Sequence, residues 1–154
     1  MPARTAFRLA RGAERDAASA TRRHRGALAA KPFLRRVYCD WYAGLCAALP
    51  DGPGPVLEVG AGPGFLRDFV PGLIASEVFP CEGCDLVADA HALPFADRSL
   101  RAIVMIDVLH HLRRPRRFFG EAGRCLRPGG RVAAVEPWVS AWSRLVYGRW
   151  HHEH

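Results

Sequence analysis

Val56-Leu57-Glu58-Val59-Gly60-Ala61-Gly62-Pro63-Gly64-Phe65-Leu66 is the stretch on which the reading of this chain turns. Val56 to Val59 has the run of a buried strand. Phe65-Leu66 and Phe69-Val70 fall at helical spacing, so three glycines occupy a strand-to-helix turn. Glycine there permits positive φ where the chain reverses, and it removes the Cβ that would keep a ligand off the backbone. The spacing is G-x-G-x-G and not the G-x-G-x-x-G of a dinucleotide turn. The acid at Glu58 adds a sign to this, because a carboxylate beside the turn repels a pyrophosphate and attracts a cation.

Working outward, Leu34, Val37, Trp41, Leu45 and Leu49 recur every three or four residues. They predict an amphipathic helix that stops at the Pro/Gly run 50–55. Its aromatics, Phe33, Tyr38, Trp41 and Tyr42, are read first as packing groups and second as pocket walls. Downstream, Pro63 to Val70 is expected to form a crossover helix broken by Pro71-Gly72. Leu73–Val78, Asp85–Ala90, Arg101–Asp107 and Arg131–Glu136 then read as strands, with a helix on Phe118, Phe119, Ala122, Cys125 and Leu126 before the last. Strands alternating with helices imply right-handed crossovers and a parallel sheet. Glu77 closes the second strand at the edge where such sheets bind ligands, and its distance from the glycines suits a ribose diol.

The 154 residues make one domain, 49% hydrophobic and 24% charged, as in ordinary globular proteins. No apolar run approaches a membrane span, and the Arg/Ala-rich head lacks the apolar core of a secretory signal, so a cytoplasmic protein with no membrane partner is expected. Residues 1–30 show no clear period and are expected to be mobile or loosely helical, leaving 31–154 as the folded unit. The net charge of +7 is almost all arginine, Lys31 being the lone lysine. It is concentrated in that head and around Pro115, both read as solvated surface, so no specific nucleic-acid partner is expected. Five cysteines without a secretory signal point to a reducing compartment without disulfides. Cys81-Glu82-Gly83-Cys84 has the spacing of half a zinc site or a redox pair, but no second pair lies nearby and no metal site is expected.

Taken in order, the glycine motif, Glu77, Asp89-Ala90 before Leu93-Pro94-Phe95, the Asp107-to-His111 strand end and Leu126-Arg127-Pro128-Gly129-Gly130 resemble the class I S-adenosylmethionine-dependent methyltransferases. Lys31-Pro32-Phe33-Leu34, Glu136-Pro137-Trp138 and the His-His-Glu near the terminus are similar to a bacterial branch of that family. The resemblance implies an α/β, three-layer Rossmann-like fold, a parallel sheet of about five strands in the order 3-2-1-4-5 with helices on both faces. It implies S-adenosyl-L-methionine as cofactor. Gly60, Ala61 and Gly62 would approach the methionine part, and Glu58 would hold the loop and the ammonium. Glu77 would take the ribose hydroxyls, Asp89 the adenine amine and the Ala90 N–H the ring, with Asp107 closing over the methionine end. Gly64 and Val78 complete that set.

Among histidines near this mouth, His110 is the candidate general base, because a neutral imidazole accepts a proton near pH 7. A packed histidine is the plainer alternative. Enzymes of this family that methylate exocyclic amines of bases show Asn or Asp, then Pro-Pro and an aromatic, where this chain has Asp107-Val108-Leu109-His110. A small-molecule acceptor is therefore the first expectation and RNA the second, with a catalytically inactive cofactor-binding protein as the non-enzyme alternative. The family adds a sixth and a seventh strand beyond the fifth. Their absence here reads as a C-terminal truncation, with the fifth strand an exposed edge open to self-association.

Overall fold

The computed structural model describes residues 11–137. Helix α1 (Arg11–Ala30) and helix α2 (Pro32–Ala48) lead into strand β1 (Val56–Val59). Strands β2 (Ile74–Glu77), β3 (Leu86–Val87) and β4 (Leu100–Ile106), helix α3 (Pro115–Cys125) and strand β5 (Leu126–Val135) follow. The sheet runs β3-β2-β1-β4-β5, with every neighbouring pair parallel. This is the order implied by the resemblance. Among the described residues β5 pairs with β4 alone. The expected helix from Trp138 to Trp150 and the terminal His-rich run lie outside the described residues.

Alternation along the strands sends side chains to two faces. Val56, Ala102 and Val104 face α2 and pack with Tyr42, Leu45, Leu66, Val70 and Leu73. Leu57, Val59, Ile103 and Met105 face α3 and pack with Leu93, Phe118, Ala122 and Cys125. Both faces are covered, so β1 and β4 read as nearly unbroken apolar runs in the sequence. Glu58 is the exception: by alternation it shares the α2 face with Val56, and it is buried.

Three elements differ from the sequence reading. The crossover after β1 is not a helix from Pro63 to Val70 but a single 3₁₀ turn at Leu66–Asp68. The Gly64 N–H bonds back to the Ala61 carbonyl, Tyr42 takes the Phe65 N–H, and Gly72 turns away at φ +72. Too few residues remain between these fixed points to nucleate an α-helix. The head, read without a period as mobile or loosely helical, is a continuous α-helix over Arg11–Ala30 that packs on α2. The hydroxyl of Thr21 bonds to the Ala17 carbonyl within it. Finally, Cys81 and Cys84 are joined as a disulfide, against the expectation of none. A turn closed by the Cys84 N–H on the Cys81 carbonyl, with Gly83 at φ +81, brings the two Cα atoms to 5.7 Å. Cys39, Cys46 and Cys125 are free.

The Arg127–Gly130 run lies within β5. Gly129 at φ +78 lets the strand bulge, so that Leu126 pairs with Leu100 and Arg131 with Ala102.

Candidate functional site

A cavity of about 820 Å³ opens at the carboxyl ends of β1, β2 and β4. Here the strand order reverses between β1 and β4, the place where open α/β sheets bind ligands. Its walls are the glycine turn, Glu77 to Phe79, Ala88 to His91, Ile106 to Val108, the His111–Arg114 segment with Arg117, Tyr38 and Tyr42 of α2, and Thr21 and His24 of α1.

The glycine turn is held by the protein itself. The Ala61 N–H donates to the Ser76 carbonyl at 3.0 Å, and the Ser76 hydroxyl donates to the Glu58 carbonyl at 2.8 Å, tying the turn to β2. Gly60 sits at φ +67, and a Cβ there would lie 2.4 Å from Val108 Cγ2. A Cβ on Gly64 would stand 2.8 Å from the Tyr42 hydroxyl and 2.9 Å from the Ala61 carbonyl. The packing of the protein itself thus requires glycine at both positions. At Gly62 a Cβ would meet only the Gly60 carbonyl, at an ordinary 3.8 Å, so the positive φ of +48 and not crowding calls for glycine there.

Four carboxylates line the cavity: Glu58, Glu77, Asp89 and Asp107. Burial pushes Glu58 up to about 8, against the lowering pull of Arg67 and with a further push from Glu77. Burial raises Glu77 as well, opposed by hydrogen bonds from the Val78 and Gly62 N–H groups. The Val78 N–H reaches Glu77 Oε2 at 2.8 Å, so this carboxylate is oriented before any ligand arrives. Asp89 Oδ1 takes the His91 N–H at 2.8 Å and lies 2.7 Å from His91 Nδ1. His91 Nε2 is buried without a partner among the described residues. Asp107 adopts φ +55, which Asp tolerates better than most side chains and which clusters at functional sites.

Glu136, just past β5, holds the segment after β4. Its Oε1 accepts the Val108 N–H at 3.0 Å and the Leu109 N–H at 2.7 Å, and its Oε2 lies 2.7 Å from His110 Nδ1. Burial acts to raise this carboxyl, but the His110 contact and the two backbone N–H groups outweigh it and leave Glu136 below the usual range. His110 is thus engaged with Glu136 and is not among the lining residues, whereas His111 is.

Residues 57–134, half of the chain, match the methyltransferase domain family. The chain belongs to that family. A methyltransferase domain of this Rossmann-like, class I kind recurs among solved structures. One is a Haloferax volcanii protein described as a methyltransferase, in complex with the Trm112 methyltransferase activator (22% identity, TM-score 0.55, covering 79% of this chain and 59% of that one). A SAM-dependent methyltransferase of Thermotoga maritima has 20% identity and a TM-score of 0.56, covering 73% of this chain and 57% of that one. The geranyl diphosphate C-methyltransferase of Streptomyces coelicolor, solved with S-adenosyl-L-homocysteine, has 15% identity and a TM-score of 0.59, covering 75% of this chain and 55% of that one. The chain spans a little over half the length of these structures. No curated protein matches its sequence.

All ten residues that the sequence marked for the cofactor, Glu58, Gly60, Ala61, Gly62, Gly64, Glu77, Val78, Asp89, Ala90 and Asp107, line this cavity. Of the α2 aromatics, Tyr38 and Tyr42 also line it, while Phe33 is exposed. Sequence reasoning missed Thr21 and His24, because the α1 segment showed no apolar period to place it. It missed Glu136 as the holder of the post-β4 segment, and it assigned Arg113, Arg114 and Arg117 to solvated surface. These arginines are exposed, but they also wall the cavity.

Proposed function

We propose that this chain binds S-adenosyl-L-methionine and transfers its methyl group to a small-molecule acceptor. The observation that carries the reading is the convergence of four carboxylates with a bare glycine turn on one cavity. Such a lining attracts a ligand that carries both an ammonium and a sulfonium. The residues fit the group in detail. Gly62 lets the backbone approach the methionine part, and Asp107, joined by Glu58 once a bound cation draws off its proton, supplies negative charge on that side. The pre-oriented Glu77 suits vicinal hydroxyls. Val78, Phe79, Ala90 and Leu112 offer apolar surface for a purine.

The bound cofactor supplies an already activated methyl group, so the protein has to position the acceptor in line and exclude water. A base is needed only when the acceptor arrives protonated. The geometry favours His111 over His110 for that task, since His111 borders the cavity and His110 is turned to Glu136. A small acceptor suits a walled cavity near the top of the ~300–1,000 Å³ range of small-molecule sites.

Calorimetry with S-adenosyl-L-homocysteine tests the reading, with NAD as the comparison. Micromolar binding of the first, weakened tenfold or more by Glu77→Gln, is the expected result. Tighter binding of NAD, or no binding by folded protein, would reject the assignment. A labelled-methyl screen over small acceptors and RNA then separates the enzyme from a protein that binds cofactor without turnover.

A further inference from the structure

The cavity has two electrical ends. Its acids, Glu58, Glu77, Asp89 and Asp107, belong to the carboxyl ends of the strands, whereas Arg113, Arg114 and Arg117 border it from the start of α3. That placement runs against the helix dipole. The N-terminus of a helix carries partial positive charge and favours acids, yet the first turn of α3 holds no acid and follows the sequence Arg113-Arg114-Pro115-Arg116-Arg117. Arg114 caps the start of α3 and Arg117 lies in its first turn, the Arg117 N–H donating to the Arg114 carbonyl at 2.9 Å, and both side chains border the cavity. Neither forms an ion pair among the described residues. Arg117 is anchored by its Nε, which donates to the His91 carbonyl at 3.0 Å. A guanidinium has five N–H donors, so this leaves four for a ligand.

An anion seated between Arg114 and Arg117 would relieve their mutual repulsion, which solvent otherwise only screens. We propose that the acceptor is a small anion whose phosphate or carboxylate seats on Arg114 and Arg117, while its nucleophile faces the acidic, cofactor end of the cavity. The inference rests on the methyltransferase reading of the site and names its substrate class. Opposite ends of opposite sign would orient the two ligands: the cationic cofactor is drawn to the strand ends, and the anion is held at the start of α3. Guanidinium forks recognise phosphate and carboxylate by paired hydrogen bonds, so the choice between the two is left to the probes.

The test is calorimetry on the whole chain, with and without saturating S-adenosyl-L-homocysteine. The probes are phenyl phosphate, benzoate and neutral phenol, followed by a short RNA oligonucleotide. The expected result is that one of the two anions binds at least tenfold more tightly than phenol. That preference is weakened in each of Arg114→Gln and Arg117→Gln, lost in the double variant, and kept in Arg116→Gln, which removes the same single charge as either single variant from a neighbour outside the cavity lining. S-adenosyl-L-homocysteine affinity stays within twofold in every variant, which also reports that each is folded. Equal binding of anion and phenol overturns the proposal, as does equal loss in Arg116→Gln. RNA binding tighter than either small anion overturns it in favour of a polymeric partner. Loss of S-adenosyl-L-homocysteine binding in the double variant assigns the arginines to the cofactor and overturns it too. Failure of the wild type to bind S-adenosyl-L-homocysteine while still selecting the anion rejects the methyltransferase reading instead, so the two failures are distinguishable.

Discussion

The hydroxyl of Tyr42 accepts the backbone N–H of Phe65 at 2.9 Å, fastening α2 to the turn that follows the glycines. Tyr42 is 1% exposed, and burial, eased a little by that same bond, raises its hydroxyl well above the ordinary range, so it stays protonated. In Tyr42→Phe the ring still packs against Phe65, but a part-buried N–H loses its partner. The expected cost is about 1–3 kcal/mol in urea unfolding. Weaker S-adenosyl-L-homocysteine binding should accompany it, because Tyr42 borders the cavity.

Glu58 should leave a signature in the pH dependence of stability. Its folded value, about 8, lies above its ordinary 4.5 because of burial. Below the ordinary value both folded and unfolded chains hold the proton, and the contribution is complete. Between the two values only the folded chain holds it, so stability falls as pH rises, by at most about 1.4 kcal/mol per pH unit. Urea unfolding across that window should show the fall, and Glu58→Gln should flatten it. A residual slope of the same sign is expected from Glu77, which burial also raises. A bound ammonium would reverse the Glu58 shift, so S-adenosyl-L-homocysteine binding near neutral pH should release a proton, visible in buffers of different ionisation enthalpy.

Gly60 should tolerate no side chain. Gly60→Ala meets both the positive φ and the 2.4 Å approach to Val108 Cγ2, and a loss of roughly 1–3 kcal/mol is expected. Adding Val108→Ala should recover the steric part alone. Thermal unfolding of the two single variants and the double variant separates these contributions.

Arg124 fastens the link between β3 and β4. It donates to the carbonyls of Leu93 and Phe95 at 3.0 and 2.8 Å and pairs with Asp97 and Glu121, while Glu121 takes the Leu93 N–H. Arg124→Met strands these acceptors and should cost about 1–3 kcal/mol. Hydrogen exchange should localise the loosening to residues 93–97.

The strand order and the residues that gather around the cavity were legible because each rests on a local signal. Apolar runs buried on both faces announced β1 and β4, and glycines at fixed spacing announced the turn. What was not legible depended on partners distant in sequence. The stretch from Pro63 to Val70 has helical spacing, and only Tyr42, reaching across from α2, shows why it closes as a 3₁₀ turn. His110 and His111 are indistinguishable in sequence; Glu136, beyond β5, engages one and leaves the other beside the cavity. The basic α1 lacks an apolar period because it covers an edge of the cavity instead of contributing to the core clusters.

That edge has a kinetic consequence. Thr21 and His24 wall the cavity, yet α1 reaches the glycine turn and the loop beyond β2 through Arg25, which donates to the carbonyls of Gly62 at 3.5 Å and Glu82 at 2.7 Å. Both bonds lie outside every strand pair, so α1 can loosen without disturbing the sheet. Residence time of a bound nucleoside should then follow how often this helix detaches, on the clock of local opening and not of global unfolding. Arg25→Ala should speed both association and dissociation of S-adenosyl-L-homocysteine in stopped-flow traces while changing its equilibrium constant much less.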